Sequence, residues 1–341
     1  MLLNAEDSRR LANVKKRQKT QLASYRVASL FAGCGGLDLG FQGGFSYLGM
    51  KYPKRKFEIV WANEIDEKAC QTYRANFKHE IICENINKLI EEDRIPEKVD
   101  VVLGGFPCQD FSLAGNRMGF KSKRGVLYKS MVQIVQKTRP LAFVAENVRG
   151  LLNLNGGRNF EQILQEFRDI GYHVAYKLHH AANYGVPQSR ERVIVVGTLK
   201  SKLPPFEHPE PPLVRDQWIT LKEAIGDLAN KKEGWLSNHF WSKAKMFPGT
   251  QGNSYTSADK IGPTMRAEHH GNIEWHWNRK RRLSAREAAR IQTFPDDFVF
   301  GPSTSSAYKQ IGNAVPPVLG WYVATGLQNF LDDKINPPQN K

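Results

Sequence analysis

Only four cysteines occur in 341 residues, at Cys34, Cys70, Cys83 and Cys108, and no two of them stand in a C-x-x-C pair. That spacing gives neither a zinc ribbon nor a disulfide framework, so the fold must rest on an apolar core in a reducing compartment. Long apolar runs are missing too: nothing reaches transmembrane length, and the opening MLLNAEDSRRLANVKKRQKT lacks the apolar stretch and small-residue cleavage site of a secretory signal. A cytoplasmic protein without a membrane partner is expected. Acidic residues are scarce beside basic ones, 34 Asp and Glu against 49 Lys and Arg, which leaves a formal charge of +15. An enzyme of small metabolites has no use for such an excess; polyanions, nucleic acid foremost, are the expected partners.

What is present is an ordinary globular composition, 40% hydrophobic and 24% charged, enough for a sizeable core. RVASLFAG (26–33), IVWANE (59–64), VDVVLGG (99–105), LAFVAEN (141–147) and RVIVVG (192–197) are nearly continuous apolar runs, as strands buried on both faces are. Phe160, Ile163, Leu164, Phe167 and Ile170 recur at helical spacing between two of them. Strands alternating with helices predict an α/β fold with a doubly wound, mostly parallel, Rossmann-like sheet. From about Lys200 the pattern breaks into SKLPPFEHPEPPL and then an aperiodic mixture of Trp, His, Gly and Lys. The division expected is a basic extension over 1–24, a catalytic and cofactor-binding domain over 25–198, a smaller loop-rich domain over 199–309, and a segment over 310–341 that returns to the first domain. Ser284 and Glu287 have capping-box spacing ahead of a helix, and QIGNAVPP reads as a tight Gly-Asn turn before a closing helix.

The candidate chemistry sits at the ends of these strands. FAGCGGLDLG follows the first, and Gly33, Gly35 and Gly36 let the backbone turn sharply and approach a ligand. Asp38 stands where the third glycine of a dinucleotide fingerprint belongs, so the loop alone is either a cofactor loop or a plain turn. Glu64, ending the second strand, is well placed to hold ribose hydroxyls and favours the cofactor reading. GGFPCQDFS puts Cys108 just past the third strand, and LAFVAEN ends on Glu146 and Asn147. A thiol beside a carboxyl group that can be protonated does not suit hydrolysis, which normally pairs Cys with His. It suits attack on a pyrimidine, where the carboxyl engages the ring nitrogen and makes C6 electrophilic.

In this order FAGCGG, NEID, GGFPCQDFS, ENVRG, QSRER and QIGNAVPP resemble the motifs of the DNA (cytosine-5) methyltransferases, and the resemblance spans nearly the whole chain outside the first 25 residues and the stretch near 200–275. It implies that Cys108 is the nucleophile at cytosine C6, that Glu146 and Asn147 engage the base, and that Arg190 and Arg192 lie near its carbonyl oxygen. S-adenosylmethionine is the implied cofactor, with Phe31, Gly33, Gly35, Glu64, Ile65, Pro107 and Asn313 similar to the family's contacts. Where the family usually has an Asp facing the adenine amino group this chain has Asn85, with Glu84 the alternative.

A cytosine inside a duplex cannot offer C6 to a thiol, so the base must be rotated out. SLAGNRMGFKSKRGVLY, directly after Cys108, combines mobile glycines with Arg117, Lys121, Lys123 and Arg124, and is expected to close over double-stranded DNA as a lid. The loop-rich domain, with Thr264 and Arg266, is the expected target-recognition region; His269, His270 and His276 are not read as a metal site. The biological role expected is the methylating half of a restriction-modification pair, acting as a monomer. Two rivals stand beside it: a transfer-RNA cytosine-5 methyltransferase of the same fold, and an idle DNA-binding regulator on the same scaffold.

Overall fold

The computed structural model describes residues 24–107, 127–246, 252–267, 273–278 and 280–335. A seven-stranded sheet organises the chain, in the order β5-β4-β1-β6-β7-β9-β8. The strands are β1 (Tyr25–Leu30), β4 (Phe57–Glu64), β5 (Ile82–Cys83), β6 (Val101–Gly104), β7 (Ala142–Val148), β8 (Tyr172–His180) and β9 (Glu191–Leu199). β5, β4, β1, β6 and β7 pair in parallel, and β9 lies antiparallel between β7 and β8. A short hairpin, β2 (Phe45–Tyr47) with β3 (Met50–Tyr52), stands apart.

Alternation within the apolar runs explains why both sheet faces are covered. Val27, Ile59, Val101, Leu103, Val144, Ile194 and Val196 share one core with α1 (Gly36–Gln42) and the long closing helix α10 (Pro317–Ile335). Their sequence neighbours Ala28, Val102, Phe143, Ala145, Val193 and Val195 share another with α3 (Ile86–Glu91), α4 (Leu127–Thr138) and α6 (Arg158–Asp169). Successive strand residues point to opposite faces, so a continuous apolar run fills two cores at once. Phe160, Ile163, Leu164 and Phe167 are the sheet-facing stripe of α6 that their spacing predicts. The single turn α5 (Gly150–Asn153) is on this side, and α2 (Glu67–Asn76), whose Asp66 caps it by accepting from the Lys68 amide, packs Cys70 and Tyr73 into the first core.

Between Leu199 and Ser284 the described chain holds little regular structure beyond the short α7 (Leu221–Ile225) and two 3₁₀ turns. A third core of Leu221, Ile225, Met265, Leu283, Ile291, Phe294, Phe298 and Tyr308 gathers this stretch around α8 (Ala285–Ile291) and α9 (Thr304–Asn313). The capping box is formed: Ser284 Oγ accepts from the Glu287 amide at 3.1 Å, and Glu287 Oε2 accepts from the Ser284 amide at 2.8 Å. Buried arginines do the rest of the bracing. Arg282, fully buried, donates to the carbonyls of Ala244, Lys245, Gly252 and Ile273 and to Asn253 Oδ1. Arg286 donates to the carbonyls of Ser237, Pro295 and Phe298, and Arg281 pairs with both oxygens of Glu287 at 2.6 and 2.7 Å.

Gly312 and Asn313 do not form the expected turn: they close α9. The glycine is required by contact, not by conformation, since a Cβ there would lie 2.0 Å from the carbonyl carbon of Arg266.

Candidate active site

The chain runs from β1 outward through β4 and β5, then returns to place β6 on the other side of β1. The crevice outside the carboxyl ends of β1 and β6 is therefore the switch point where an open α/β sheet takes its ligands. Phe31–Gly35 leaves β1 there, Glu64 ends β4, Gly105–Pro107 leaves β6, and Glu146 and Asn147 stand near the end of β7. Because β9 is antiparallel, its start lies at the same edge: Arg192 is in register with Val148, and Ile194 with Glu146.

Glu146 is 8% exposed, and its Oε1 accepts from Arg192 Nε at 2.8 Å. The sequence brought both residues to the site without indicating that they pair. Gly105 packs beside this carboxyl, with a Cβ there reaching 3.3 Å from Glu146 Oε2. Asn147 is buried and donates Nδ2 to the Phe106 carbonyl at 2.9 Å, which ties the end of β7 to the segment leading into Cys108. Cys108 and the lid residues Arg117, Lys121, Lys123 and Arg124 lie outside the described residues, as do His269 and His270.

Arg190 has backbone partners that the sequence did not indicate. It is fully buried, and its guanidinium donates to the carbonyls of Met265 (2.9 Å), Gly312 (3.1 Å) and Ala314 (2.8 Å). Burial and the neighbouring Arg192 charge push its pKa well below the usual arginine range, with Glu146 opposing. Three carbonyl contacts make it a clamp between the loop-rich region and the end of α9, so Arg192 is the arginine at the carboxyl. Gln188, which the sequence reading did not single out, braces the same junction by accepting from the Met265 amide and donating to the Ile291 carbonyl.

On the cofactor side, Glu64 Oε2 accepts from the Gly33 amide at 2.8 Å, and its Oε1 accepts from the amides of Ile65 and Asp66 at 2.8 and 2.9 Å. The carboxylate thus binds the β1 and β4 loops together. A Cβ on Gly33 would have nothing within 4 Å, so the loop faces open space, and the adjoining Ile65 is 66% exposed. An open backbone turn, a carboxylate and an exposed aliphatic side chain suit a nucleoside with a charged tail, the chemistry of S-adenosylmethionine. Phe31, half-buried with φ 54°, starts the turn; Pro107 and Asn313 are exposed. Asn85 caps α3, its Oδ1 accepting from the Asn87 amide at 2.9 Å, while Glu84 is engaged by Lys88 Nζ at 2.8 Å. Each oxygen retains a second lone pair, so neither alternative for the adenine contact is removed.

A mostly parallel Rossmann-like sheet with this edge defines a methyltransferase of the class that works on cytosine. The chain matches the C-5 cytosine-specific DNA methylase family over residues 25–260 and 242–329, and it belongs to that family. It is 35% identical to the Type II methyltransferase M.NgoFVII of Neisseria gonorrhoeae, covering 86% of this chain and 83% of the relative. Against M.FnuDI of Fusobacterium nucleatum the identity is 33%, over 91% of this chain and 96% of the relative. Among solved structures, the Dnmt2 methyltransferase of S. pombe superposes with a TM-score of 0.64 at 16% identity, covering 89% of this chain and 99% of that one, a likeness of fold. The protein is a DNA (cytosine-5) methyltransferase. None of the described helices is long and apolar enough to cross a membrane.

Proposed function

We propose that this enzyme methylates C5 of a cytosine rotated out of double-stranded DNA, through a covalent adduct of Cys108 at C6, as the monomeric, cytoplasmic modification half of a restriction-modification pair. The observation that carries the reading is the buried Glu146–Arg192 pair at the carboxyl edge of the sheet, one hydrogen bond from the backbone that leads into Cys108. The relatives named Type II methyltransferases support the pairing with an endonuclease.

At rest the carboxyl and guanidinium satisfy each other. An entering cytosine divides them, the Glu146 carboxyl engaging ring N3 and Arg192 the carbonyl oxygen, where charge develops as sulfur adds. The Cys108 thiolate forms the S–C6 bond, and the C5–C6 π pair moves onto C5. S-adenosylmethionine, held by Phe31, Gly33, Gly35, Glu64, Ile65, Pro107 and Asn313 with Asn85 or Glu84 at the adenine, supplies the methyl group. Loss of the C5 proton returns its electron pair to the ring and expels the sulfur. Asn147 positions the strand end, Arg190 holds the recognition region against the catalytic core, and Arg117, Lys121, Lys123 and Arg124 close on DNA phosphates.

The test is methylome sequencing of a methylation-free bacterial host that expresses the chain, with Cys108→Ser in parallel. One short motif methylated only by the unaltered protein is expected. Unmodified DNA in both cultures, with soluble protein present, would overturn the proposal in favour of an RNA substrate or an idle DNA binder. A gene neighbourhood without a nuclease would remove the restriction partner alone.

A further inference from the structure

Asp38 stands in the sequence as a broken glycine position, yet it is a fully buried carboxyl at the foot of the Gly33–Gly35 turn. Ser29 Oγ of β1 donates to its Oδ1 at 2.6 Å, and the Tyr73 hydroxyl of α2 donates to its Oδ2 at 2.5 Å. The same hydroxyl lies 2.6 Å from His79 Nε2, and His79 Nδ1 faces Gln42 Nε2 of α1 at 3.5 Å. The chain Ser29–Asp38–Tyr73–His79–Gln42 therefore links the first strand, both flanking helices and a loop.

The rings in this chain also form the floor of the glycine turn. Gly35 caps α1 with φ 92°, and a Cβ there would fall 2.3 Å from the Phe77 ring and 3.0 Å from the Tyr73 ring. Tyr73 and Phe77 stack with centroids 4.3 Å apart. Moving Tyr73 thus moves the surface on which Gly35 rests.

We propose that Asp38 is a positioning residue of the methyl-donor site: through Tyr73 and Phe77 it holds the Gly35 turn in its binding shape, and the proton state of the chain sets cofactor affinity. The proposal rests on the reading of Gly33–Gly35 and Glu64 as the cofactor site.

Two polarities of the chain are chemically complete. With Asp38 ionised, Ser29 and Tyr73 both donate to it, the Tyr73 oxygen accepts from His79 Nε2–H, and bare Nδ1 accepts from Gln42. With Asp38 protonated, its proton is donated to Tyr73, the Tyr73 hydroxyl turns to His79 Nε2, and His79 carries its proton on Nδ1, which forces the Gln42 amide to rotate. One proton therefore reverses the donors from Asp38 to Gln42, while Ser29 donates in both states. Burial pushes the Asp38 carboxyl up to about 6, against the pull of Ser29 and Tyr73. Burial also lowers His79 and raises Tyr73 well above its ordinary range, so Asp38 is the member that titrates near neutrality. The other titratable group on the glycine turn, Cys34, is raised by burial to about 12 and stays a thiol.

The experiment is calorimetric binding of S-adenosylhomocysteine to the full chain and to Asp38→Asn, Tyr73→Phe and Glu64→Ala, between pH 5.5 and 8, with a melting curve at each point. Asn reproduces the protonated polarity, accepting from Ser29 and donating to Tyr73. Asp38→Asn is therefore expected to bind about tenfold more weakly than the unaltered protein at pH 7.5, to come within about threefold of it at pH 5.5, and to melt no lower. Tyr73→Phe keeps the ring under Gly35 but cuts His79 from Asp38, and should shift the midpoint of the pH dependence. Parallel binding curves for the unaltered protein and Asp38→Asn would overturn the positioning role. If Asp38→Asn fails to fold, an unmoved midpoint in Tyr73→Phe overturns it instead. Unchanged binding in Glu64→Ala would show that the cofactor reading itself has failed, whatever Asp38 does.

Discussion

Arg282 is the side chain on which the loop-rich half of the molecule most visibly depends, and replacing it with lysine tests that dependence. Its three nitrogens donate to four backbone carbonyls and to Asn253 Oδ1, at 2.8 to 3.2 Å apart from the still closer contact with Ile273. Lysine keeps the charge but has one nitrogen with three protons, which cannot span carbonyls arranged around a planar fork. About two of the four carbonyls are left unpaired, at roughly 1–3 kcal/mol each, so Arg282→Lys should lose about 2–6 kcal/mol. Against a total stability of roughly 5–15 kcal/mol this is a large fraction without being complete unfolding. Urea denaturation reads the loss. Calorimetry with S-adenosylhomocysteine should show unchanged affinity, because the Glu64 edge has no part in these contacts, while duplex binding at fixed salt should fall. A loss under about 0.5 kcal/mol, typical of an indifferent surface site, would refute the idea that the guanidinium holds these loops.

Glu146→Gln keeps the shape of the Arg192 partner and removes its charge and its acid–base capacity; single-turnover methyl transfer should slow by about 10²-fold or more with cofactor affinity unchanged. Asp38 predicts a pH dependence of opposite sign to that of an ion-paired carboxylate. Its folded pKa, raised to about 6, lies above the usual value, so the native state holds the proton more tightly and stability falls as pH rises from about 4 to 6. Asp38→Asn abolishes that fall and, for a shift of this size, should be more stable than the unaltered protein by roughly 3 kcal/mol at pH 7.5, with the two converging near pH 4 in chemical denaturation. Gly312→Ala drives a methyl group to 2.0 Å from the Arg266 carbonyl carbon, and should cost several kcal/mol, about 3 on the scale of overpacked sites, and lower the melting temperature accordingly.

What the sequence made legible follows from how each segment is buried. The five apolar runs were readable because most of their residues face one core or the other, leaving few polar positions to confuse the pattern. β8 escaped because it is the sheet edge: Lys177, His173 and the half-exposed Tyr176 interrupt any run. The β2–β3 hairpin is too short to carry a period. Glu64, Glu146, Asn147 and Arg192 could be singled out because they stand at strand ends, which the apolar runs mark in the sequence. The carbonyl partners of Arg190, those of Met265, Gly312 and Ala314, were not legible because they are remote in sequence and invisible in composition. Tyr73 and His79 were missed for a related reason. The only hint of their chain was a carboxyl at Asp38 within the otherwise apolar GLDLGF.

NRKRR, around Arg281 and Arg282, looks in sequence like a ready-made phosphate contact, yet both arginines are buried and committed inward. Most of the groups that receive Arg190, Arg282 and Arg286 are backbone oxygens, and a backbone oxygen is the same whatever side chain its residue carries. The scaffold of the loop-rich region is therefore blind to the identity of the residues it supports. Outward-facing side chains there can be exchanged one after another while the arginines keep the loops in place. A region built this way can vary its surface and still be held by the one part of the chain that substitution does not alter.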